Sequence, residues 1–351
     1  MSEGAAEDRS EILAFDVGGA NIKAADGWGW THAEAFPLWQ RPDALAEALQ
    51  RIAAQRMPRR IVATMTGEIA DCFPSRPAGV ARIIEALEVA AAQVTPSADL
   101  GVYLVDGSIL PAAAARARPL ATAASNWHAL ARLAATHALA DRTFAVDVGS
   151  TTTDIVPIDH GVPVPRACDD VGRMAAGELV YTGIERTPVA ASVRSLPWPS
   201  AGAGRRPIAS ERYADSRDVW LLLGGIPEAP ENHDTADGQP ATRAAASRRL
   251  ARMLLADPED FSAADARAAA EWCARAQIRQ VARALERVAR AVGWKPECVV
   301  LAGHGACLAE RAIAHRGWKV HTVPLADRLG HGVSRAACAH ALALIERGLV
   351  P

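Results

Sequence analysis

Two distant segments of this chain carry one pattern, and that repeat constrains the fold more than any other feature. Ile12-Leu-Ala-Phe-Asp-Val-Gly-Gly-Ala-Asn-Ile-Lys23 and Phe144-Ala-Val-Asp-Val-Gly-Ser-Thr-Thr-Thr-Asp154 each run apolar residues into Asp-Val-Gly, then into small or hydroxyl-bearing residues. A short apolar run that stops at glycine reads as a buried strand entering a tight turn. Either copy alone would be an ordinary strand-turn. The pair predicts two halves of similar architecture with a phosphate-binding cleft between them. Gly18, Gly19 and Gly149 would let the backbone approach a ligand closely. Asn21, Ser150, Thr151, Thr152 and Thr153 add polar side chains, and Lys23 adds a positive charge. This inventory suits oxyanions, above all phosphate. Asp16 and Asp147 stand where a Mg²⁺–phosphate complex needs carboxylates, directly or through water.

A chain of 351 residues can bury a substantial core in two domains. We expect these at 11–142 and 143–351, with the last helix crossing back to the first. Half of the residues are apolar and only 5% are aromatic, so the core must be built mainly of Ala, Val, Leu and Ile. A net charge of −2 gives no reason to expect a nucleic-acid or membrane-surface partner. Arg205-Arg206 and Arg248-Arg249 read as solvated faces. The six cysteines form no Cys-x-x-Cys pair, which argues for reduced thiols and against a thiolate metal site. The first ten residues lack the basic and apolar regions of a signal peptide, and no apolar run reaches spanning length. The expectation is a cytoplasmic protein with a frayed N-terminus. Small-molecule ligands fit best, and a homodimer is left open.

Along the chain, strands are expected at Thr31–Leu38, Arg60–Met65 and Leu100–Val105. Helices are expected from Pro42 to Gln55, from Pro77 to Gln93, and from Asn126 to Leu139, the last with Ser125 as N-cap. In the second half, Asp159-His160-Gly161 reads as a hairpin turn. Leu196–Pro207 reads as a loop, Arg217–Leu223 as helix or strand, and Pro227–Thr242 as the least ordered interior stretch. Helices at about Ala241–Leu255 and Ala263–Val292, a strand at Val299–Gly303, a helix from Leu308 to His315, a strand at Lys319–Val323 and a helix from Ser334 to Glu346 complete the reading. Val299-Val-Leu-Ala-Gly-His-Gly-Ala-Cys-Leu308 is a third strand, glycine turn and helix. Gly303 and Gly305 there serve either an anion or nucleoside, or plain α/β packing.

Together these three elements resemble the actin, Hsp70 and sugar-kinase superfamily, as its two phosphate motifs and its adenosine motif. That resemblance implies an α/β fold of two ribonuclease-H-like domains around a central cleft. His304 stands where many superfamily kinases carry a second glycine, so ATP is the less favoured ligand. Further segments carry a closer likeness: Met65-Thr-Gly-Glu-Ile-Ala-Asp-Cys-Phe73, Ala124-Ser-Asn-Trp-His-Ala-Leu130, Gly177-Glu-Leu-Val-Tyr-Thr-Gly-Ile-Glu-Arg-Thr-Pro-Val189, Asp218-Val-Trp-Leu-Leu-Leu-Gly-Gly-Ile226 and Thr235-Ala-Asp-Gly-Gln-Pro-Ala-Thr242. They resemble the tetrahydromethanopterin-linked one-carbon transfer family, which is related to hydantoinase A and includes the archaeal methanofuran-biosynthesis condensing enzyme. The resemblance implies a transferase that joins an aminomethyl-furanmethanol diphosphate to the phenol oxygen of a tyramine-type acceptor and releases pyrophosphate.

That chemistry needs a diphosphate cradle, for which Asp16, Asp147 with Mg²⁺, the two turns and Lys23 are the candidates. It also needs a base for the phenol, and Glu68, Asp71, Asp154 and His128 are open alternatives. Arg186 is a candidate for phosphate or an acceptor carboxylate. The rival readings are an ATP-dependent kinase or ATPase of the same fold, and a non-catalytic protein of the hydantoinase A type.

Overall fold

The computed structural model describes residues 11–94 and 98–351, so the expectation about the first ten residues lies outside the described residues. The first half contains β1 (Ile12–Val17), β2 (Asn21–Ala25), β3 (Thr31–Ala35), α1 (Leu45–Ala53), β4 (Arg60–Met65), α2 (Arg76–Val94), β5 (Asp99–Tyr103), β6 (Ile109–Pro111), α3 (Ala112–Arg116), α4 (Pro119–Thr122) and α5 (Asn126–Thr136). The second half opens with β7 (Arg142–Val148), β8 (Thr153–Asp159), β9 (Val162–Pro163), α6 (Asp170–Ala176), β10 (Leu179–Val180), α7 (Val189–Ser192), β11 (Ser195–Pro197) and β12 (Arg205–Pro207). It continues through α8 (Ser216–Leu222), α9 (Arg243–Met253), α10 (Ala263–Val292), β13 (Cys298–Ala302), α11 (Ala306–His315), β14 (His321–Pro324), α12 (Leu325–Leu329), α13 (His331–Arg335) and α14 (Ala337–Glu346).

The two halves repeat one topology. The first sheet runs β3-β2-β1-β4-β5-β6 and the second β10-β8-β7-β13-β14. In each, the first two neighbours of the central strand form an antiparallel meander, and the next two strands lie parallel to it. This is the ribonuclease-H-like arrangement, built twice. Parallel strands need cover on both faces, which is why β1, β4, β7 and β13 are almost wholly apolar and buried.

Period-two alternation then sorts each strand. Leu13, Phe15 and Val17 of β1 face the outer core with α1 and α2, while Phe144, Val146 and Val148 of β7 face the outer core with α10. Ala14 and Ala145 face a third core shared by both halves. In that core α14 crosses back to lie on β1, β2 and β4, and α5 lies against β7, β8 and β9; the two helices pack on each other. Their buried residues are mostly alanine (Ala129, Ala131, Ala134, Ala337, Ala339, Ala341, Ala343), which allows close approach.

Several local expectations need correcting. Ser125 does not cap α5: its hydroxyl donates to the Tyr103 carbonyl at 2.9 Å and bonds Thr64 Oγ1 at 2.8 Å, tying the helix start to β4 and β5 instead. Leu196–Pro207 is not a plain loop, because β11 and β12 pair across it. The last helix is broken at Ala336 (φ −113°, ψ 30°) into α13 and α14. Arg249 is not on a solvated face. It is 1% exposed and bonds Asp218 at 2.6 and 2.8 Å and Asp237 at 2.9 Å, which pins the irregular 227–242 stretch to α9. The hairpin at 159–161 forms as expected, with His160 (φ 49°) and Gly161 (φ 80°) both left-handed.

A buried amide fixes the segment that follows β10. Gln277 of α10 accepts from Trp220 Nε1 at 2.7 Å and donates to Thr182 Oγ1 at 2.9 Å and the Gly183 carbonyl at 2.6 Å. Replacing it strands buried polar groups, each costing about 1–3 kcal/mol. Gln277→Leu should therefore lower the stability measured by urea denaturation by roughly 2–4 kcal/mol; an unchanged midpoint would show that the amide is not what holds this segment.

Candidate functional site

The two Asp-Val-Gly turns close alike. Gly18 N–H donates to the Asn21 carbonyl at 2.9 Å, and Gly149 N–H to the Thr152 carbonyl at 2.9 Å. The carbonyls are committed: Gly19 and Ala20 accept from Leu38 and Phe36, and Gly149 and Ser150 from Ile184, Glu185 and Arg186. Among the described residues, the N–H groups of Gly19, Ala20, Ser150 and Thr151 donate to no backbone carbonyl. Each turn therefore offers donors and withholds acceptors, as an anion nest does. A Cβ on Gly18 would press on the Asn21 carbonyl, whereas one on Gly19 would meet nothing within 4 Å. The fold needs the first glycine, and the second leaves open space.

The alternation that sends Ala14 and Ala145 inward also sends Asp16, Lys23, Asp147 and Asp154 inward, because they share those residues' parity. Lys23 is thus on strand β2, opposite Asp16 in the register, and not on the loop. Burial raises the Asp16 pKa, opposed by Lys23. Burial also lifts Asp147 to about 6, helped by Asp154 and Asp16 and opposed by Lys23 and His304. Burial alone would depress Lys23, yet Asp16, Cys338 and Asp147 push it above its ordinary value. Cys338 of α14 is buried beside the same group, and its thiol pKa is raised by burial and the neighbouring carboxylates. One oxygen of Asp16, Oδ1, is buried without a hydrogen-bond partner. Among the described residues no three His, Cys, Asp or Glu side chains gather tightly enough to hold a metal. Asp16 and Asp147 therefore suit Mg²⁺ that keeps waters and phosphate oxygens, not a closed protein cage.

Other candidates divide by whether their polar atoms are already spent. Thr153 is fully buried and its hydroxyl donates to the Thr182 carbonyl at 2.8 Å. Asp154 accepts from Arg173 at 2.9 Å, and the buried Arg173 guanidinium lies 3.9 Å from the Trp127 ring centroid. His128 bonds Tyr103 OH at 2.7 Å and is pushed down to about 4, chiefly by burial, so it is neutral at pH 7. Asp71 is exposed. Glu68 differs from all of these. It is 1% exposed, both carboxylate oxygens lack a hydrogen-bond partner, and Arg76 Nε stands off at 3.9 Å. Burial, with Asp170 nearby, raises it to about 7. Glu68 follows Gly67, whose N–H donates to the Val17 carbonyl at 3.0 Å, so it sits beside the first turn. Arg76 bonds Asp170 of α6 at 2.8 Å, linking the two halves there.

The third glycine turn packs tightly under the second. Gly303 is left-handed (φ 77°), and a Cβ there would collide with the Val148 carbonyl and the Asp147 carboxylate. Gly305 N–H donates to the Val148 carbonyl at 3.0 Å. Packing thus accounts for both glycines. His304 between them reaches Glu185 at 3.4 Å. Glu185 pairs with Arg217 at 3.0 Å; burial would raise its pKa, but His304, Arg217 and Arg335 hold it below the usual range. Arg186 pairs with Asp234 at 3.6 Å and stacks over Trp39 of the first half, 5.3 Å from its centroid. The sequence reading missed Glu185, Arg173, Trp39 and Cys338. The first is adjacent to Arg186 in sequence, but the others meet the cleft only through tertiary packing.

A crevice touches Asp147 and Asp154 between α5 and the second sheet, lined by Trp127, Leu130, Ala131 and Ala134. At about 10 Å³ it has the room of a single water. A larger recess of about 400 Å³, lined by Asp237, Arg248 and Arg252 among others, shares no residue with the glycine turns.

Comparison with known proteins follows the same lines. The Hydantoinase/oxoprolinase family profile matches residues 59–345. A protein of Methanocaldococcus jannaschii named (4-{4-[2-(gamma-L-glutamylamino)ethyl]phenoxymethyl}furan-2-yl)methanamine synthase is 33% identical over 252 residues, covering 71% of this chain and 72% of that protein. Its namesake from Methanococcus vannielii is 27% identical over 202 residues, covering 57% of this chain and 88% of its own. The solved nucleotide-free structure of acetone carboxylase overlaps 93% of this chain and 51% of its own, at 13% identity and a TM-score of 0.45.

The state of Glu68 can be read from stability. Its folded pKa of about 7 lies above the ordinary 4.5, so the native state holds its proton more tightly than the unfolded chain does. Stability then falls as pH rises from about 4.5 to 7, and the penalty is complete above that window. Glu68→Gln mimics the neutral form, and should stabilise the protein by about 3 kcal/mol at pH 8 and by almost nothing at pH 4. A denaturation series giving a pH-independent difference would refute the raised pKa.

Proposed function

The chain belongs to the Hydantoinase/oxoprolinase family, and with that membership as premise we propose that it is a transferase of methanofuran-type cofactor biosynthesis. It condenses an aminomethyl-furanmethanol diphosphate with the phenol oxygen of a tyramine-type acceptor, γ-glutamyltyramine or an equivalent. The likeness to the archaeal synthases carries this choice of reaction: their name describes a phenol oxygen joined to a furan methylene. The cleft supplies chemistry that suits it, between units we place at 11–142 and 143–351.

Diphosphate leaves readily only when its charge is neutralised. Lys23 and the N–H groups of Gly19, Ala20, Ser150 and Thr151 provide cation and donors on either side. Mg²⁺, held by Asp16 and Asp147 when bound, supplies Lewis-acid neutralisation of the phosphate oxygens. The bond between the furan methylene and the diphosphate oxygen breaks, and its electron pair leaves with pyrophosphate. A phenol oxygen lone pair forms the new C–O bond, and the phenolic proton passes to Glu68. A free phenol with pKa about 10 gives up its proton poorly to a base near 7, but the proton becomes acidic as the oxygen bonds to the cationic carbon. Asp154, held by Arg173, is a positioning group beside Asp147.

The test is an incubation of the purified protein with Mg²⁺, the furfuryl diphosphate and γ-glutamyltyramine, without ATP. Mass spectrometry should find ether and pyrophosphate in equal amounts; ATP hydrolysis with no ether would replace this reading with the kinase or ATPase one. Asp16→Asn and Asp147→Asn should each cut turnover roughly tenfold or more with the fold intact, and unchanged rates would remove both from the metal site. Gly19→Ala has space in the protein and an ordinary backbone conformation. It should leave the melting temperature unchanged or slightly raised while weakening pyrophosphate inhibition; equal inhibition would mean the first turn does not meet the diphosphate.

A further inference from the structure

Two backbone bonds set a pair of side chains beside the glycine turns. The Leu38 N–H donates to the Gly19 carbonyl of the first turn at 3.0 Å, and the Arg186 N–H donates to the Ser150 carbonyl of the second at 2.9 Å. The residue after Leu38 is Trp39, and its ring centroid lies 5.3 Å from the Arg186 guanidinium. This stack joins the two halves next to both turns. Trp39 and Arg186 are each half-buried, so each keeps a part toward solvent.

The Arg186 side chain leads from the second turn out to Asp234, in the irregular 227–242 stretch. That stretch is held in place. The Asp234 N–H donates to Asn232 Oδ1 at 2.9 Å, Thr235 Oγ1 donates to the Gln239 carbonyl at 2.7 Å, and the buried Arg249 holds Asp237 at 2.9 Å. Yet the Asp234 carboxylate is 60% exposed and stands 3.6 Å from Arg186 and 3.8 Å from Arg217, beyond hydrogen-bond reach. Arg217 has a nearer partner in Glu185, at 3.0 Å. Arg186 and Asp234 are thus a cation and an anion side by side, joined by a loose and partly solvated pair. Such a pair contributes little and exchanges readily for the charges of a ligand.

A ligand with a carboxylate and an ammonium on one carbon matches the two. The guanidinium fork takes paired carboxylate oxygens, and the aspartate takes the ammonium. The name of the archaeal relatives includes a gamma-L-glutamyl group, which is linked through its side-chain carboxyl and so leaves both α-groups free. In the acceptor that head group lies at the far end from the phenol oxygen. We propose that Arg186 and Asp234 form the head-group site of the acceptor, selecting an α-amino-acid end, with Trp39 as the positioning residue that holds the Arg186 guanidinium. This deepens the transferase reading and rests on it.

The test compares γ-glutamyltyramine with tyramine, which has the phenol but no amino-acid head. Wild-type protein should prefer γ-glutamyltyramine in kcat/KM. Arg186→Gln should lower that preference roughly tenfold or more, through KM for γ-glutamyltyramine, with KM for the diphosphate and the melting temperature unchanged. Asp234→Asn, at an exposed side chain, should lower it in the same direction. Trp39→Leu should lower it too, and Trp39→Phe, which keeps a ring under the guanidinium, should restore it. Arg252→Gln, an exposed arginine outside the cleft, should keep the wild-type preference. Ether formed with no preference in the wild type, or with the preference intact in Arg186→Gln and Asp234→Asn, overturns the head-group site alone. No ether from the wild-type protein with either acceptor overturns the transferase reading beneath it.

Discussion

Asp16, Lys23, Asp147 and Asp154 are crowded together, Asp16 buried and the other three half-buried, and the rest of the structure is arranged around that grouping. Carboxylates taken out of water are costly unless paired, so their pKa values rise. The chain balances them sparingly, with Lys23 against Asp16 and Arg173 against Asp154. An unpartnered Asp16 oxygen and an elevated Asp147 are left over. Carboxylates in this state favour taking up a proton or a cation.

The burial is possible because the two halves exchange helices. α14 from the second half covers the first sheet, and α5 from the first half covers the second. Alanine on both lets the sheets' inner faces come close enough for Asp16 and Asp147 to share a lysine. Glu68 lies at the rim of this arrangement, where the turn after β4 meets α6 across the Arg76–Asp170 pair. Its carboxylate, raised to about 7 by burial and faced only by Arg76 at 3.9 Å, costs stability at neutral pH.

Much of this was legible in the residues. The Asp-Val-Gly repeat, the apolar strand before each copy and the glycines after it are local signals, and strand, turn and repeat all formed where they were read. The register that sends Asp16 and Asp147 inward also follows from period two along β1 and β7. Local signals failed where a distant partner decides. Ser125 looks like a cap, but the carbonyl of Tyr103 and the hydroxyl of Thr64 compete successfully for its hydroxyl. Arg249 looks like surface until Asp218 and Asp237 are brought beside it. Thr153 looks like a phosphate ligand, but its parity on β8 points it into the outer core.

The amino-acid sequence by itself determined that there would be two like halves, each with a strand ending in a glycine turn, because hydrophobic period and glycine placement act over a few residues. It also determined which carboxylates could face inward, since alternation along a strand allows only one parity. Only the tertiary structure decided which of those groups are free to act. Asp154 is occupied by Arg173 and His128 by Tyr103, while Glu68 has no hydrogen-bond partner and only Arg76 Nε, at 3.9 Å, beside it. That difference arises because a side chain's charge state and partners depend on the residues packed around it, which come from segments far away in the chain.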